Sequence, residues 1–266
     1  MMINSKECKN ALTISKLPEV DYCLNPYVGC MHGCVYCYAT FMRRFTGHAS
    51  DKWGEFLDIK SNIVEILEKD IKKYKGGTIL LGSVTDCYQP CESKYLLTRN
   101  LLIKLQKYNL PISILTKSKL VIRDIDILKN FDNCEVGLTI TTLDPVFSKI
   151  IEPKASLPFE RLNALKELKK HGIKTYAFIG PIFPMQTNLE EIFCALSEIN
   201  VDYVMAEVLN LKCGTGQEVK EKLKDYPKIQ DIFCNSGYEK YMRQTQKQVN
   251  ELSKKYNISL KGFYNH

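Results

Sequence analysis

Short apolar runs rich in β-forming residues alternate with helical patterns along most of the chain. Such alternation is typical of parallel strands, because each parallel connection needs a crossover long enough to hold a helix. Strands are predicted at LNPYVG (24–29), TILLGSV (78–84), ISILTKS (112–118), CEVGLTI (134–140), KTYAFIGPI (174–182) and DYVMAEVL (202–209). Helices are predicted between them at 62–74, 98–108, 122–131, 159–172 and 189–199. Gly172 is expected to end one helix and Asn188 to cap another.

About six parallel βα units are too few for a closed eight-stranded barrel. The sequence therefore predicts an α/β fold built as a partial, three-quarter TIM barrel over residues 1–211. Residues 212–266 are polar with helical patterns, and they are expected to form a helical C-terminal extension packed on the same domain. A charged, aromatic insertion occupies residues 40–60. By analogy with complete barrels, the functional site is expected at the carboxyl ends of the strands.

Three cysteines lie close together in the stretch GCMHGCVYC (29–37), with the spacing C-x3-C-x2-C. Three protein ligands leave one coordination position open, whereas structural zinc is usually closed by four. Cys30, Cys34 and Cys37 therefore favour a [4Fe–4S] cluster that keeps its fourth iron open to a substrate or cofactor. The neighbouring glycines provide backbone that can wrap closely around a bulky inorganic group.

Other interpretations of these cysteines remain open. Zinc could take its fourth ligand from His32 or from a distant cysteine, which would make the chain a non-catalytic zinc or redox-sensing protein, and the thiols could also be buried core residues. A cytoplasmic location is expected, because no run approaches the ~20 apolar residues that cross a bilayer and the start lacks a secretory signal. In that compartment the eleven cysteines are expected to be thiols and metal ligands, not disulfides.

The chain has a net charge of +7, with a surplus of lysine and arginine toward its C-terminus. A basic surface is compatible with a nucleic-acid partner. Acidic residues are interleaved among these lysines, however, and charges at helical spacing most often form a solvated helix face. Nucleic acid is thus a candidate partner, no membrane partner is expected, and a monomer is favoured.

The spacing C-x3-C-x-aromatic-C resembles the cluster motif of the radical S-adenosylmethionine (SAM) superfamily. Further blocks resemble its branch related to spore photoproduct lyase, namely LNPYVGCMHGCVYCYA (24–39), GSVTDCYQPCE (82–92), ILTKS (114–118), RDIDIL (123–128) and IEPKAS (151–156). The resemblance implies a [4Fe–4S] cluster on the three cysteines and SAM chelated at the open iron. It also implies an external one-electron donor of the flavodoxin or ferredoxin type, and reductive cleavage of SAM to a 5′-deoxyadenosyl radical.

SAM presents an ammonium, a carboxylate, a ribose and an adenine, and the predicted strand ends offer matching side chains. Thr85 and Asp86 are expected to accept hydrogen bonds from the ammonium, with a helix or turn cap as the alternative for Asp86. Lys117 is expected to contact the carboxylate, because a lysine among apolar strand residues needs an anionic partner. The other expected contacts are Thr139 and Thr141 at the ribose, Tyr36 near the adenine, and Glu152 with Arg161 in a polar wall. An ordinary salt bridge explains the last pair almost equally well.

The block TDCYQPCE is expected to lie over the radical. Tyr88, Gln89 and Glu92 are predicted substrate contacts, and Tyr38 is predicted to line the catalytic cavity. Spore photoproduct lyase returns a hydrogen atom to its product from a cysteine near this strand end, where this chain has Val84. Lyase chemistry on the spore thymine dimer would therefore require Cys87 to take over that role. A peptide or a small metabolite is the alternative substrate, and Cys87 and Cys91 could instead join Cys213 or Cys234 in a second cluster.

Overall fold

The computed structural model describes residues 1–210, 215–227, 229 and 237–265. Its strands are β1 (Met2–Lys6), β2 (Leu12–Ile14), β3 (Tyr22–Leu24), β4 (Tyr27–Val28), β5 (Phe56–Lys60), β6 (Ile79–Leu81), β7 (Ile112–Thr116), β8 (Cys134–Thr139), β9 (Lys174–Ile182), β10 (Tyr203–Val208) and β11 (Leu260–Tyr264). Its α-helices are α1 (Arg43–Thr46), α2 (Ile63–Ile71), α3 (Glu92–Tyr95), α4 (Leu97–Lys107), α5 (Ile125–Leu128), α6 (Pro145–Ile151), α7 (Pro158–Lys170), α8 (Leu189–Ile199), α9 (Gly216–Lys222) and α10 (Gly237–Lys255). Short 3-10 helices span Tyr38–Met42 and Lys119–Asp124.

The main sheet has eight strands in the order β11-β10-β9-β8-β7-β6-β3-β2. Neighbouring strands are parallel except for β2, which is antiparallel to β3. The prediction of an α/β fold with a mostly parallel sheet is therefore confirmed.

The first predicted strand is divided into β3 and β4, because Pro26 has no N–H to donate to a ladder. The amide of Asn25, beside that proline, instead bonds to the loop after β6 through the Ser83 hydroxyl and the Val84 N–H.

A second, smaller sheet is built partly from the insertion predicted at residues 40–60. Its order is β1-β5-β4, with β1 parallel and β4 antiparallel to β5. Because β4 leads directly into the stretch that carries the three cysteines, the insertion supports that stretch from one side.

Four of the five predicted helices are confirmed as α2, α4, α7 and α8. Gly172 has a left-handed φ of +75° just after α7, and the Asn188 side chain accepts a hydrogen bond from the Glu191 N–H at the start of α8. The fifth helix, predicted at 122–131, is instead the 3-10 turn Lys119–Asp124 followed by the short α5. The reason is tertiary, since Arg123 and Asp124 are drawn into a buried ion-pair network with α3 and α4.

The C-terminal segment adds a strand that the helical prediction missed. After α10 the chain forms β11, which pairs in parallel with β10 at the edge of the main sheet. Cys213 and Cys234 lie outside the described residues, and the division at residues 211 and 212 stays a prediction. Among the helices that are described, none combines the length and apolar character that crossing a membrane requires.

The two faces of the main sheet differ because successive side chains of a strand point to opposite faces. On the helix-covered face, one core contains Leu81, Ile114, Leu138, Ala177 and Ala206. On the other face, Leu80, Leu115, Phe178, Met205 and Glu207 are only half-buried. The inner face of the sheet is thus partly open, and the site described next lies where its strands end.

Candidate active site

The three cysteines of the sequence motif are brought together in one tight loop, residues 29–37, called the cluster loop below. None of the three forms a disulfide; Cys30 and Cys34 are buried and Cys37 is half-buried. Two backbone hydrogen bonds turn the loop, from the Gly33 N–H to the Cys30 carbonyl and from the Cys37 N–H to the Cys34 carbonyl. Burial first, and then the charge of Glu152 and the neighbouring thiols, raise the pKa of the Cys34 thiol well above its usual value, against the opposing effect of Lys117. The loop therefore gathers three sulfur ligands in one place.

Two glycines allow the insertion to pack directly on the cluster loop. Gly29 has a φ of +85°, and a Cβ there would lie 2.7 Å from the carbonyl oxygen of Phe56 in β5. A Cβ on Gly54 would lie 2.8 Å from the Cα of Gly33. No side chain fits at such distances, so glycine at these positions is needed for the backbones to touch.

Polar side chains of the segment after β6 hold the cluster loop from the opposite side. The Thr85 hydroxyl donates to the Gly29 carbonyl at 2.5 Å. The Gln89 side chain donates to the Thr85 hydroxyl at 2.9 Å, and its oxygen accepts from the Met31 N–H at 2.7 Å. Together with Asp86, described next, these side chains form a set that we call the loop clamp.

Asp86 is buried and connects three parts of the site. Its carboxylate lies 3.3 Å from Nδ1 of the buried His32 in the cluster loop. It also accepts hydrogen bonds from the Tyr88 N–H, the Thr116 hydroxyl and the Lys117 N–H, at 2.7 to 2.8 Å. Burial alone would raise the pKa of Asp86 and lower that of His32, but their mutual attraction outweighs it, so the pKa of Asp86 falls and that of His32 rises to about 9. Asp86 is thus a turn cap, and its carboxylate is already occupied.

The predicted substrate contacts Tyr88, Gln89 and Glu92 all lie in the interior, with 0 % of their surface exposed. Both Glu92 oxygens already accept hydrogen bonds. The donors are the Tyr27 hydroxyl, the Thr98 and Arg99 N–H groups, and the Arg123 guanidinium, which also lies over the Tyr88 ring. These residues hold the segment after β6 in place. Their predicted contact with a substrate stays a prediction, and it would require this network to open.

Lys117 projects from the end of β7 beside the cluster loop. Its ammonium lies 5.7 Å from the ring centre of Tyr36. Burial would lower the pKa of Lys117, but the charges of Cys34, Glu152 and Asp86 outweigh it and raise that pKa. The two nearby carboxylates pair elsewhere, Asp86 with His32 and Glu152 with Arg161. Lys117 is therefore a cation in position to bind an additional anion.

The predicted polar wall at the end of β8 is a buried ion-pair network. Arg161 of α7 pairs with Glu152, and it also donates to the Thr139 carbonyl at 3.0 Å. Glu152 further accepts from the Tyr36 hydroxyl and lies 2.9 Å from the Thr141 hydroxyl. The salt-bridge interpretation of Glu152 and Arg161 is thus realised. The network also fixes Tyr36, and with it the third cysteine, against the sheet.

Thr139 differs from its neighbour Thr141 in one respect. The Thr141 hydroxyl is within 2.9 Å of both Glu152 and the Gly180 carbonyl. The Thr139 hydroxyl is buried and has no hydrogen-bond partner among the described residues. A buried hydroxyl without a partner costs free energy, so the Thr139 hydroxyl can still take a hydrogen-bond partner.

Tyr38 and Cys87, the predicted catalytic residues, lie on different sides of the sheet. The Tyr38 hydroxyl donates to the Ser83 carbonyl after β6, and after burial the charges of Cys37, Cys23 and Glu207 further raise the pKa of Tyr38. Cys87 lies in the helix-side core, where its thiol donates to the Leu81 carbonyl at 3.9 Å.

Sequence reasoning missed Cys23 as an inner-face thiol. Its neighbour Leu24 belongs to the helix-side core, so the alternation within β3 places Cys23 on the opposite face, toward Tyr38. That alternation was the signal that would have found it.

Comparison with known proteins shows the family of this chain. The radical SAM superfamily profile matches residues 24–204. An uncharacterized protein of Methanocaldococcus jannaschii is 37% identical over 262 residues, which cover 98% of this chain and 96% of that protein. An uncharacterized protein of Acidianus two-tailed virus is 33% identical over 217 residues, which cover 76% of this chain and 71% of that one. This chain belongs to the radical SAM superfamily.

The fold is also that of spore photoproduct lyase. A variant of that lyase with bound AdoMet and dinucleoside spore photoproduct superposes with a TM-score of 0.70, covering 99% of this chain and 82% of the lyase at 15% identity. The radical SAM family uses a [4Fe–4S] cluster and SAM, and its enzymes need an electron donor.

The residues of the site fit these cofactors. Thiolates are the ligands of iron–sulfur clusters, and the cluster loop offers three. In the part of the chain that the structure describes, no three His, Cys, Asp or Glu side chains are arranged around a single metal ion. A cluster takes each thiolate on a separate iron, so its ligands need not converge on one point. The Lys117 ammonium and the Thr139 hydroxyl match the carboxylate and a hydroxyl of SAM.

Proposed function

We propose that this chain is a radical SAM enzyme that cleaves SAM reductively and abstracts a hydrogen atom, in a lyase-like reaction, from a nucleic acid. The fold that supports this activity is a partial barrel of about six βα units with a C-terminal extension from residue 212. The observation that carries the proposal is the juxtaposition of three cysteine thiols in the cluster loop with the Lys117 ammonium, whose nearby carboxylates pair elsewhere.

Cys30, Cys34 and Cys37 would hold the [4Fe–4S] cluster, which would supply the electron for reductive cleavage of SAM and so the radical chemistry. The electron comes from a donor of the flavodoxin or ferredoxin type. The loop clamp and the Glu152–Arg161 pair keep the thiols in position without rearrangement, and such preorganisation favours reaction.

The remaining side chains of the site orient SAM. Lys117 binds the carboxylate, Thr139 bonds to a ribose hydroxyl, and Tyr36 packs beside the adenine. The Asp86 carboxylate and the Thr85 hydroxyl already have hydrogen-bond partners, and a hydrogen bond from the SAM ammonium to either one would add to these contacts. Tyr38 and the inner-face residues line the cavity in which the substrate meets the radical.

A nucleic-acid substrate is supported by the net charge of +7 and by the likeness of fold to spore photoproduct lyase. A base inside a duplex cannot reach such a cavity, so the target nucleotide must be turned out of the stack or be unpaired. Cys23 faces the cavity, whereas Cys87 would have to leave the core to donate a hydrogen atom. Cys23 is therefore preferred over Cys87 as the thiol that donates a hydrogen atom.

SAM cleavage tests the proposed activity directly. Protein reconstituted anaerobically with iron and sulfide is mixed with dithionite and SAM, and 5′-deoxyadenosine is quantified by mass spectrometry. The wild type is expected to form it and Cys34→Ser to lose it. The matched control Cys194→Ser, which changes an exposed free thiol on α8, keeps it. Fully loaded wild-type protein that forms none contradicts the proposal.

The substrate class has its own readout. With an oligonucleotide deuterated in its sugars and bases, deuterium is expected in the 5′-deoxyadenosine. If 5′-deoxyadenosine forms without deuterium with both the DNA and the RNA oligonucleotide, SAM cleavage is still supported, but a nucleic-acid substrate is contradicted. A peptide or a small metabolite then becomes the substrate to seek.

A further inference from the structure

Three aromatic side chains form a continuous exposed ridge directly after the cluster loop. Tyr38, Phe41 and Phe45 lie on one side of the 3-10 helix and α1. Their ring centres are 6.4 Å apart between Tyr38 and Phe41 and 6.3 Å apart between Phe41 and Phe45. The three side chains are 46 %, 44 % and 77 % exposed. A contiguous exposed apolar patch usually marks a surface that binds a partner or a ligand, and we call this one the aromatic ridge.

The ridge runs from the cavity to the outer surface. Its first ring, Tyr38, follows Cys37 and is tied to the end of β6 through the Ser83 carbonyl. The last ring, Phe45, is the most exposed of the three. A chain molecule lying along the ridge is therefore led toward the partly open inner face.

The segment that carries the ridge is basic, and Asp51, which follows it, pairs with His48. Residues 38–50 contain Arg43 and Arg44 but no aspartate or glutamate. Arg43 is fixed by the carbonyls of Thr40 and Asp51, whereas Arg44, which precedes Phe45 in the chain, is exposed. The rings and the positive charge together suit a polyanion that carries flat apolar groups. A single-stranded nucleic acid has this chemistry, because its bases stack on aromatic side chains and its phosphates pair with arginine.

We propose that the aromatic ridge is a stacking track for unpaired nucleotides, which delivers a nucleic-acid strand to the cavity. This proposal rests on the nucleic-acid-directed function above and names the form of the substrate, an unpaired strand. Stacking is sequence-tolerant because every base has a flat face. The track therefore sets the strand's path, and the cavity selects the nucleotide.

Binding of a fluorescently labelled single strand tests the track. The loaded wild-type protein is titrated with a 20-nucleotide poly-dT and, separately, with a strand of equal charge that lacks bases. Tight binding of the first and at least about ten-fold weaker binding of the second is expected, since stacking contributes about 1–3 kcal/mol per base. Phe41→Ala and Phe45→Ala are expected to weaken poly-dT binding by about ten-fold each and to leave binding of the base-free strand unchanged.

Two further variants separate the track from a general charge effect. Tyr108→Ala removes an exposed ring outside the ridge and is expected to bind poly-dT like the wild type. Arg44→Ala is expected to reduce the slope of log affinity against log salt by about one phosphate contact, whereas Phe45→Ala keeps the slope. Far-UV circular dichroism and iron content confirm that each variant is folded and loaded.

The strand-binding measurements test the stacking track independently of SAM cleavage. Equal binding of the strands with and without bases, or no effect of Phe41→Ala and Phe45→Ala, overturns the proposal. A third result also overturns the proposal: Phe41→Ala and Phe45→Ala keep the strand affinity of the wild type, but a flavodoxin reduces their cluster more slowly. The ridge is then a redox-partner surface. If the protein forms 5′-deoxyadenosine but does not bind the strand, only the stacking-track proposal is contradicted. If it binds the strand but forms no 5′-deoxyadenosine, only the proposed activity is contradicted.

Discussion

The Asp86 carboxylate lies 3.3 Å from Nδ1 of His32, and this contact joins the end of β6 to the middle of the cluster loop. Both side chains are buried. The cluster loop thus contacts Asp86, a side chain whose position is set by the main sheet. The cluster loop is held in shape by the fold around it as well as by any metal that it binds.

Replacing the carboxylate should therefore destabilise the whole chain. Asp86→Asn leaves His32 buried without its anionic partner, and breaking a buried pair costs roughly 3–5 kcal/mol. We expect urea unfolding to show a loss of about 3 kcal/mol. Asp225→Asn, at an exposed position, should stay within about 0.5 kcal/mol of the wild type. Equal effects of the two variants would show that the contact does not support the loop.

Gln89 should act on retention of the cluster. Gln89→Leu keeps the approximate volume but leaves the Met31 N–H without its acceptor, which costs about 1–3 kcal/mol. A loosened loop should lose iron faster when an iron chelator is added to the loaded protein, followed by the decay of the visible absorbance. Gln248→Leu, on the exposed side of α10, serves as the control. If the visible absorbance decays at the same rate in both variants and the wild type, the loop clamp does not help to retain the cluster.

The two threonines at the end of β8 should respond in opposite ways to the same change. Thr141→Val removes a hydroxyl close to Glu152 and the Gly180 carbonyl, so we expect a loss of about 1–3 kcal/mol in the free energy of unfolding. Thr139→Val removes a hydroxyl that has no described partner, and its stability should be unchanged or slightly higher. SAM affinity should nevertheless fall several-fold in Thr139→Val. Unaltered SAM affinity there would remove Thr139 from the cofactor site.

Lys117 should matter for SAM and not for the cluster. Lys117→Ala removes the cation from the end of β7, and we expect SAM to bind at least about ten-fold more weakly, equivalent to about 1.4 kcal/mol. Iron content should stay at the wild-type level. Lys119→Ala removes an exposed lysine that pairs with Glu160 and should leave SAM binding unchanged. Anaerobic calorimetry with SAM provides the measurement, and equal affinities for the two variants would exclude the role.

Local patterns in the sequence predicted much of this molecule. The strands β6 to β10 follow from apolar runs of β-forming residues, and α8 follows from its periodicity and the Asn188 cap. The positions of Lys117 and Thr139 at strand ends follow from the same runs. These features depend on neighbours in sequence, which is why single-sequence reasoning finds them.

Long-range packing decided what the sequence did not reveal. Gln89 and Glu92 look like site residues because they are polar and lie after a strand, yet their partners Met31 and Tyr27 are about sixty residues away. Their burial could not be known before those pairings. Likewise, β11 follows a long polar helix, and only its pairing with β10 makes it a strand of the sheet.

Whether one iron is left open for SAM is the central question, and electron–nuclear double resonance on the reduced, loaded protein answers it most directly. SAM labelled with ¹⁵N in its amino group and ¹⁷O in its carboxylate is added to the reduced cluster. The account predicts couplings to both labels that are strong enough for direct coordination of an iron. A reduced four-iron cluster that shows no coupling to either label, at SAM concentrations that saturate binding, would contradict it.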